Sequence, residues 1–317
     1  MACSNVHEQA VRLLLESARL REDEVTSRLD LALVPAYWQR LMPSFSIGGD
    51  RPREVIETET MDDTRLDQTL GGMAEDGYFQ TGPLLAERMI RRMLECVDVL
   101  RHAHWPPVFA FVYDEFWRVT RGPALVRLLS RVLGPGYRQV PKIWTFHIAR
   151  GLGGGGWPPH RDGRNRPKRL SIWIPLTDAT LENGCMYVLP KRLVPPGITE
   201  SFARTKTVDT SDMLALLHAS RALPARAGSV LGWDFEVIHW GSKASGLGEC
   251  RVSVVFEFIG ESEEPGSDEL PLLDAQSRLP AFSERLKAIA RAIRSYELYE
   301  PLMIRYRELA KRLAAAA

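Results

Sequence analysis

The sequence predicts an α+β chain with a mainly β core and helices before and after it. Two observations carry this. Up to about residue 140 the apolar residues recur at helical spacing, and from there to residue 259 they fall into short β-branched and aromatic runs between turn residues. His160-Arg161-Asp162 and His239, residue types that ligate metals, lie 77 positions apart (239 − 162). That is too far for a local zinc hairpin, and no second ligand pair completes one. A barrel closing on itself brings such positions together. At 317 residues the length alone would admit two domains, yet barrels commonly hold a longer chain as one unit.

Taken in order, residues 5–28 place Val11, Leu14, Leu15 and Ala18 at helical spacing among charges, an amphipathic helix. Residues 43–72 are polar, with Gly48-Gly49-Asp50, Pro52 and a run of acids, and read as a loop-rich stretch, the kind that forms lids. Gly77-Tyr78-Phe79 leads into a periodic helix over 84–100. A second helix spans 122–133 and stops at Gly134-Pro135-Gly136. The β runs are 142–150, 170–176, 185–189, 229–233 and 251–259, with Asn183-Gly184 the strongest turn signal. Irregular or helical insertions fit at 211–221 and 235–237. Residues 280–317 are helical with a break at Pro301. Their stripe of Phe282, Leu286, Ile289 and Ile293 suits the core or a second subunit, which leaves a homo-oligomer through the terminal helices open.

Forty-one basic residues against 40 acidic ones give a net charge of +1, so neither a nucleic acid nor a membrane surface is expected as partner. No apolar run has the length of a spanning helix. Cys3, Cys96, Cys185 and Cys250 have no paired spacing, and the first residues lack a secretory pattern, so a cytoplasmic chain with reduced thiols is expected.

The chemistry gathers at three places. His160 and Asp162, two apart, project to one side of an extended segment. With His239 they make the two-histidine, one-carboxylate set that holds ferrous iron and leaves coordination positions open. A His-x-Asp alone is as well explained by a core histidine beside a surface aspartate. The third element changes the balance. Arg251 and Ser253 share one face of the strand 251–259, where a guanidinium can grip a carboxylate with two parallel bonds and a hydroxyl can add a third. That is a seat for the distal carboxylate of 2-oxoglutarate.

Residues 171–178 (SIWIPLTD), 182–190 (ENGCMYVLP), 227–229 (AGS) and 238–242 (IHWGS) resemble the phytanoyl-CoA dioxygenase family of iron(II)/2-oxoglutarate oxygenases, from about Gly77 to Ile259. The resemblance implies a double-stranded β-helix, the cupin-like jelly roll, over residues 77–262. It would be preceded by a helical and loop-rich extension or lid at 1–76 and followed by a helical segment at 263–317. It implies iron on His160, Asp162 and His239, 2-oxoglutarate on Arg251 and Ser253, and Trp173 as an aromatic wall for the co-substrate. It also implies O₂ as oxidant and an organic small molecule as substrate, hydroxylated by default, as in biosynthesis; desaturation, epoxidation or cyclisation would use the same ligands. One departure stands out. Lys191-Arg192-Leu193 follows Pro190 where the family usually has a Gly-Ser-His or Gly-Thr-His turn, which bears on the local loop and on substrate choice.

Competing readings are weaker. A halogenase would need a small residue in place of Asp162, and a non-catalytic cupin-like binding protein would be free to lose ligands that this chain keeps. The Gly151–Gly156 run satisfies a dinucleotide fingerprint, but Trp157-Pro158-Pro159 forbids the helix that such a site needs. Arg161, Arg164, Arg166, Lys168 and Arg169 form a solvated loop or supply a cation for an acidic substrate group. His147 is expected to be structural, and His7, His102, His104 and His218 lack partner spacing. Asp234 and Glu236 belong to a turn and serve less well than Asp162.

Overall fold

The computed structural model describes residues 19–48, 61–150, 156–163, 166, 168–194, 210–245, 248–276, 278–297 and 300–317. The expected helix at 5–28 lies mostly outside these residues, as do His7, Arg164 and the Gly151 to Gly155 run. Where the description begins, α1 (Glu22–Ala32) and α2 (Pro35–Leu41) are followed by α3 (Asp63–Asp76) and strand β1 (Tyr78–Pro83). Next come α4 (Glu87–His102), a buried 3₁₀ turn at Pro107–Val112, α5 (Asp114–Arg118) and α6 (Pro123–Leu133). The strands β2 (Arg138–Ile148), β3 (Arg169–Pro175) and β4 (Met186–Leu189) precede α7 (Thr210–Ala219). Then follow β5 (Arg221–Leu223), β6 (Ser229–Asp234), β7 (Ile238–Gly241) and β8 (Arg251–Ile259). The chain closes with α8 (Phe282–Tyr296), a 3₁₀ turn at Pro301–Tyr306 and α9 (Arg307–Ala316), so the break at Pro301 is present.

The loop-rich reading of 43–72 needs correction, because α3 occupies its second half. The Asp62 carboxylate accepts from the Arg65 backbone N–H at 2.8 Å and caps the helix, Leu66 is buried, and Gly77 ends it at φ +76°. Two acids of that stretch, Asp62 and Asp63, serve as cap and first-turn charge. Three short strands, β1, β5 and β7, also escape the sequence: β5 and β7 have only three and four residues, and β1 ends in Gly82-Pro83, which breaks a β pattern.

The architecture is mixed helix and antiparallel sheet. Five strands form one sheet in the order β1-β6-β3-β8-β2, and three form a second in the order β5-β4-β7. Trp173, Leu231 and Trp233 of the first sheet pack with Met186, Val188 and Leu223 of the second in one apolar cluster, so the two sheets face each other. The other side of the large sheet is covered by helices. Ile143 and Phe256 from the sheet, Phe109 and Phe111 from the 3₁₀ turn, and Leu286, Ile289 and Ile293 from α8 share the main core. The α8 stripe is therefore spent inside the chain. Between the sheets, Gly184 takes φ +93°, and a Cβ there would sit 2.8 Å from the Ser242 carbonyl, which is why the Asn183-Gly184 turn needs its glycine.

The basic loop leading into β3 is also corrected. Arg169 is 2 % exposed and gives Glu269 a hydrogen bond of 2.7 Å, Arg166 lies 3.5 Å from Glu263, and Lys168 reaches the Val132 carbonyl. Arg166 and Arg169 hold the segment after β8, and Lys168 holds the end of α6. Burial would raise the Glu269 carboxyl, but the Arg169 hydrogen bond and charge outweigh it and hold the group at about 2. A carboxyl depressed in the folded state contributes stability above its unfolded value of 4.5 and loses it as pH falls toward 2. Glu269→Gln is expected to lower unfolding free energy by about 1–3 kcal/mol at pH 7. Urea unfolding at pH 7 and again near pH 2 checks this, since the gap to wild type should close as the carboxyl protonates.

Candidate metal centre

β7 and the segment entering β3 are joined at the two histidines. His160 N–H donates to His239 O at 3.1 Å and His239 N–H donates to His160 O at 3.0 Å, an isolated antiparallel bridge. It sets the two imidazoles 4.4 Å apart between ring centres. His160 Nε2 is 3.5 Å and His239 Nε2 3.6 Å from Asp162 Oδ1, and the potential ligand atoms of the three residues lie within 4.8 Å of one another. Ligand atoms about 2.1 Å from a first-row ion at right angles stand roughly 3 Å apart, so the set fits a small cation with slight contraction.

Every other polar atom of the three side chains is tied to protein. His160 Nδ1 is 2.9 Å from Pro158 O and His239 Nδ1 is 3.1 Å from Val237 O, which makes each Nδ1 the protonated nitrogen and leaves Nε2 as a lone pair. Asp162 Oδ2 accepts from Ser171 Oγ at 2.6 Å and from Trp233 Nε1 at 3.0 Å, which aims Oδ1 at the histidines. Burial holds His239 down to about 4, so it is neutral at pH 7. Burial alone would raise the Asp162 carboxyl, but His239 and His160 outweigh it and keep it ionised. A neutral His239 and an ionised Asp162 thus stand ready for a cation at pH 7.

Ser171 and Trp233 went unnoticed in the sequence, although alternation along β3 and β6 points both to the inner face. Losing such an outer partner typically costs about 10–100-fold in metal affinity. Ser171→Ala is expected to weaken iron binding by that factor with little change in fold, measurable by competition with a chelator.

On β8, Arg251 and Ser253 face the same interior. Arg251 is 6 % exposed, donates from one Nη to Gly184 O, and has its guanidinium carbon 5.8 Å from the centre of the Trp173 ring. Its Nε and the Ser253 hydroxyl are buried with no hydrogen-bond partner among the described residues. Burial pulls the guanidinium down to about 10, which leaves it charged at pH 7. Buried donors left open beside a fixed cation fit a ligand carboxylate. The residues present therefore suit both an iron ion and a 2-oxoglutarate molecule.

Elsewhere the expectations divide. Asp234 is paired with Lys191 at 2.6 Å and Glu236 lies near the same ammonium, so neither reaches the metal set. The Lys191-Arg192-Leu193 departure has a local reason here: it forms a 3₁₀ turn pinned by Lys191 to Asp234 and by Arg192 to Asp76 at 2.6 Å. His147 pairs with Val252 on the opposite face from Arg251 and lies 3.4 Å from Cys250 Sγ, a structural position. His102 bonds the Asp98 carbonyl, and His104 takes φ +59° in the turn after α4. Glu257, also unforeseen, points inward from β8, where burial pushes its carboxyl up to about 7 against the nearby Lys142.

Facing antiparallel sheets that carry two histidines and an aspartate with open positions define a non-heme metal oxygenase. Residues 85–246, just over half of the chain, match the family described as phytanoyl-CoA dioxygenase, and the chain belongs to that family. It is an oxidoreductase whose cofactors are iron(II), 2-oxoglutarate and O₂. No curated protein matches the sequence. Among solved structures, the non-heme α-ketoglutarate-dependent epimerase SnoN from nogalamycin biosynthesis is 19 % identical, with a TM-score of 0.51 over 69 % of this chain and 95 % of its own. The non-heme monooxygenase ThoJ, in a nickel complex, is 17 % identical with a TM-score of 0.52, over 73 % and 98 %. The carbocyclase SnoK from nogalamycin biosynthesis is 17 % identical with 0.51 over the same shares. At these identities the likeness is one of fold. The fold hosts epimerisation, monooxygenation and ring closure, so it does not fix the outcome.

Proposed function

We propose that this chain hydroxylates an organic small molecule: one oxygen atom of O₂ enters the product, the other enters succinate, and 2-oxoglutarate loses CO₂. His160 Nε2, Asp162 Oδ1 and His239 Nε2 hold the iron, Arg251 and Ser253 hold the distal carboxylate of 2-oxoglutarate, and Trp173 walls it. The core at residues 77–262 is read as a double-stranded β-helix, with 1–76 as an extension and 263–317 as a helical addition. The observation that carries the reading is the pairing of an aimed ligand set with two buried donors on the same interior that have no partner among the described residues.

Bound iron supplies the oxidation of a C–H bond, and the protein supplies everything around it. Ser171 and Trp233 keep Asp162 turned so that one oxygen alone faces the metal. The carbonyls of Pro158 and Val237 fix the imidazole tautomers. Trp173, Leu231, Trp233 and Val188 line the space between the sheets with apolar surface and exclude water from it. Arg251 fixes the far end of 2-oxoglutarate and thereby the position of its keto-acid end. With Asp162 filling the third ligand position, a halide has no place there, so oxygenated product is expected. The free thiols Cys96, Cys185 and Cys250 suit a reducing compartment, and we place the enzyme in the cytoplasm. No helix among the described residues is long and apolar enough to cross a membrane.

The test offers a metabolite panel to the iron-loaded protein with 2-oxoglutarate. Succinate release that depends on one panel member, together with a product heavier by one oxygen, is the expected result. A product lighter by two hydrogens would replace hydroxylation with desaturation, and a halogenated product would overturn the oxygenase reading.

A further inference from the structure

Four aromatic rings and one carboxyl gather beside the metal set, two of the five groups coming from the end of α8 and the residues just after it. Trp144 and Phe146 stand on β2 opposite Val255 and Ser253, on the interior face. The Trp157 ring is 5.9 Å from that of His160. Tyr296, the last residue of α8, stacks parallel on Trp144 at 4.3 Å, stands edge-on to Phe146 at 5.8 Å and lies 5.9 Å from Trp157. Glu300 follows one turn later and accepts a 2.7 Å hydrogen bond from Trp144 Nε1.

Glu300 is an odd choice for a structural acceptor. Burial pushes its carboxyl up to about 7, against the Trp144 hydrogen bond and the charge of Arg251, the cation that acts on it among the described residues. A glutamine would satisfy the indole equally well without that cost. Arg251 is, on the reading above, claimed by the 2-oxoglutarate carboxylate. Once the co-substrate is in place, Glu300 loses the cation that acts on it and is open to pairing with another. Phe146, Trp157 and Tyr296 are each only half-buried, so their rings are not sealed into the core. Ring faces with a carboxylate behind them attract an organic cation through the ring quadrupole and direct charge.

We propose that Glu300, held by the buried Trp144, forms with Phe146, Trp157 and Tyr296 the substrate-recognition subsite and takes a protonated or quaternary amine carried by the substrate. The amine would enter after 2-oxoglutarate, because the free Arg251 charge repels it. This rests on the assignment of Arg251 in the proposed function, and the test separates the two. Choline and benzylammonium are titrated against their neutral counterparts, 3,3-dimethylbutan-1-ol and benzyl alcohol, into anaerobic iron-loaded protein with 2-oxoglutarate, following tryptophan fluorescence. At least one cation is expected to bind about tenfold more tightly than its counterpart, and more tightly with 2-oxoglutarate than without. In Glu300→Gln that preference should fall to within about twofold, with melting temperature and 2-oxoglutarate binding retained. Should that variant not fold, Tyr296→Leu keeps the acid and is expected to lose the same preference by removing the ring face. If both cations bind no better than their counterparts, or if the variants keep wild-type preference, the amine subsite is wrong. Absence of 2-oxoglutarate binding in wild type would instead sink the underlying assignment.

Discussion

His239→Ala is expected to abolish turnover and to leave the purified protein without stoichiometric iron. The imidazole lies in the interior, held neutral by burial, with its Nε2 3.6 Å from Asp162 Oδ1. Removing it deletes one of three protein ligands and leaves a cavity that water enters without the geometry to replace it. Outer partners of metal ligands already cost about 10–100-fold when lost, so a direct ligand should cost more than about 100-fold in metal affinity. Iron analysis after dialysis, alongside succinate release, checks both halves. Full iron stoichiometry and unchanged activity in this variant would remove the three-residue assignment, and alanine at His160 or Asp162 should behave alike.

Arg251→Ala is the second large effect. The guanidinium is buried, keeps its charge at pH 7 and lies 5.8 Å from the centre of the Trp173 ring, and its Nε and the Ser253 hydroxyl have no hydrogen-bond partner among the described residues. Taking away one member of a buried, hydrogen-bonded charge pair costs roughly 2–5 kcal/mol. That corresponds to a loss of about 30-fold to several thousand-fold in 2-oxoglutarate affinity. The iron should stay, because none of its ligands touches the guanidinium. A co-substrate titration at saturating iron measures the loss; wild-type affinity in the variant would mean that the carboxylate is held elsewhere. Arg251→Lys should recover only part of it, since an ammonium lacks the planar fork.

The metal residues were legible because their chemistry is rare and their spacing leaves few folds to choose from. β8 was legible to the residue, as alternation over nine positions sets both its limits and its inner face. What the sequence hid was mostly a matter of partnership. Ser171 and Trp233 could be placed on inner faces, but nothing in β3 or β6 says that both reach the same oxygen of Asp162. The cations at Arg166 and Arg169 looked available because their acids, Glu263 and Glu269, lie about a hundred positions further on. Tyr296 and Glu300 were further out of reach. Periodicity identifies the buried face of α8, but which residues at its end meet Trp144 depends on how the helix sits on the sheet, and more than 150 residues separate the two. The helix at Asp63–Asp76 was hidden for a different reason: capping acids and a polar face give the same composition as a loop.

The paired backbone hydrogen bonds between His160 and His239 have a thermodynamic consequence. Because each ligand's amide is held by the other ligand's carbonyl, the two imidazoles are members of one rigid frame that forms with the fold itself. Their conformational entropy is lost when the chain folds, and none of it is charged to the arrival of the ion. The ion's intrinsic affinity is then expressed almost undiminished, and its effect on stability follows simple mass action, growing with the logarithm of free metal concentration and needing only a slight contraction of the ligand side chains.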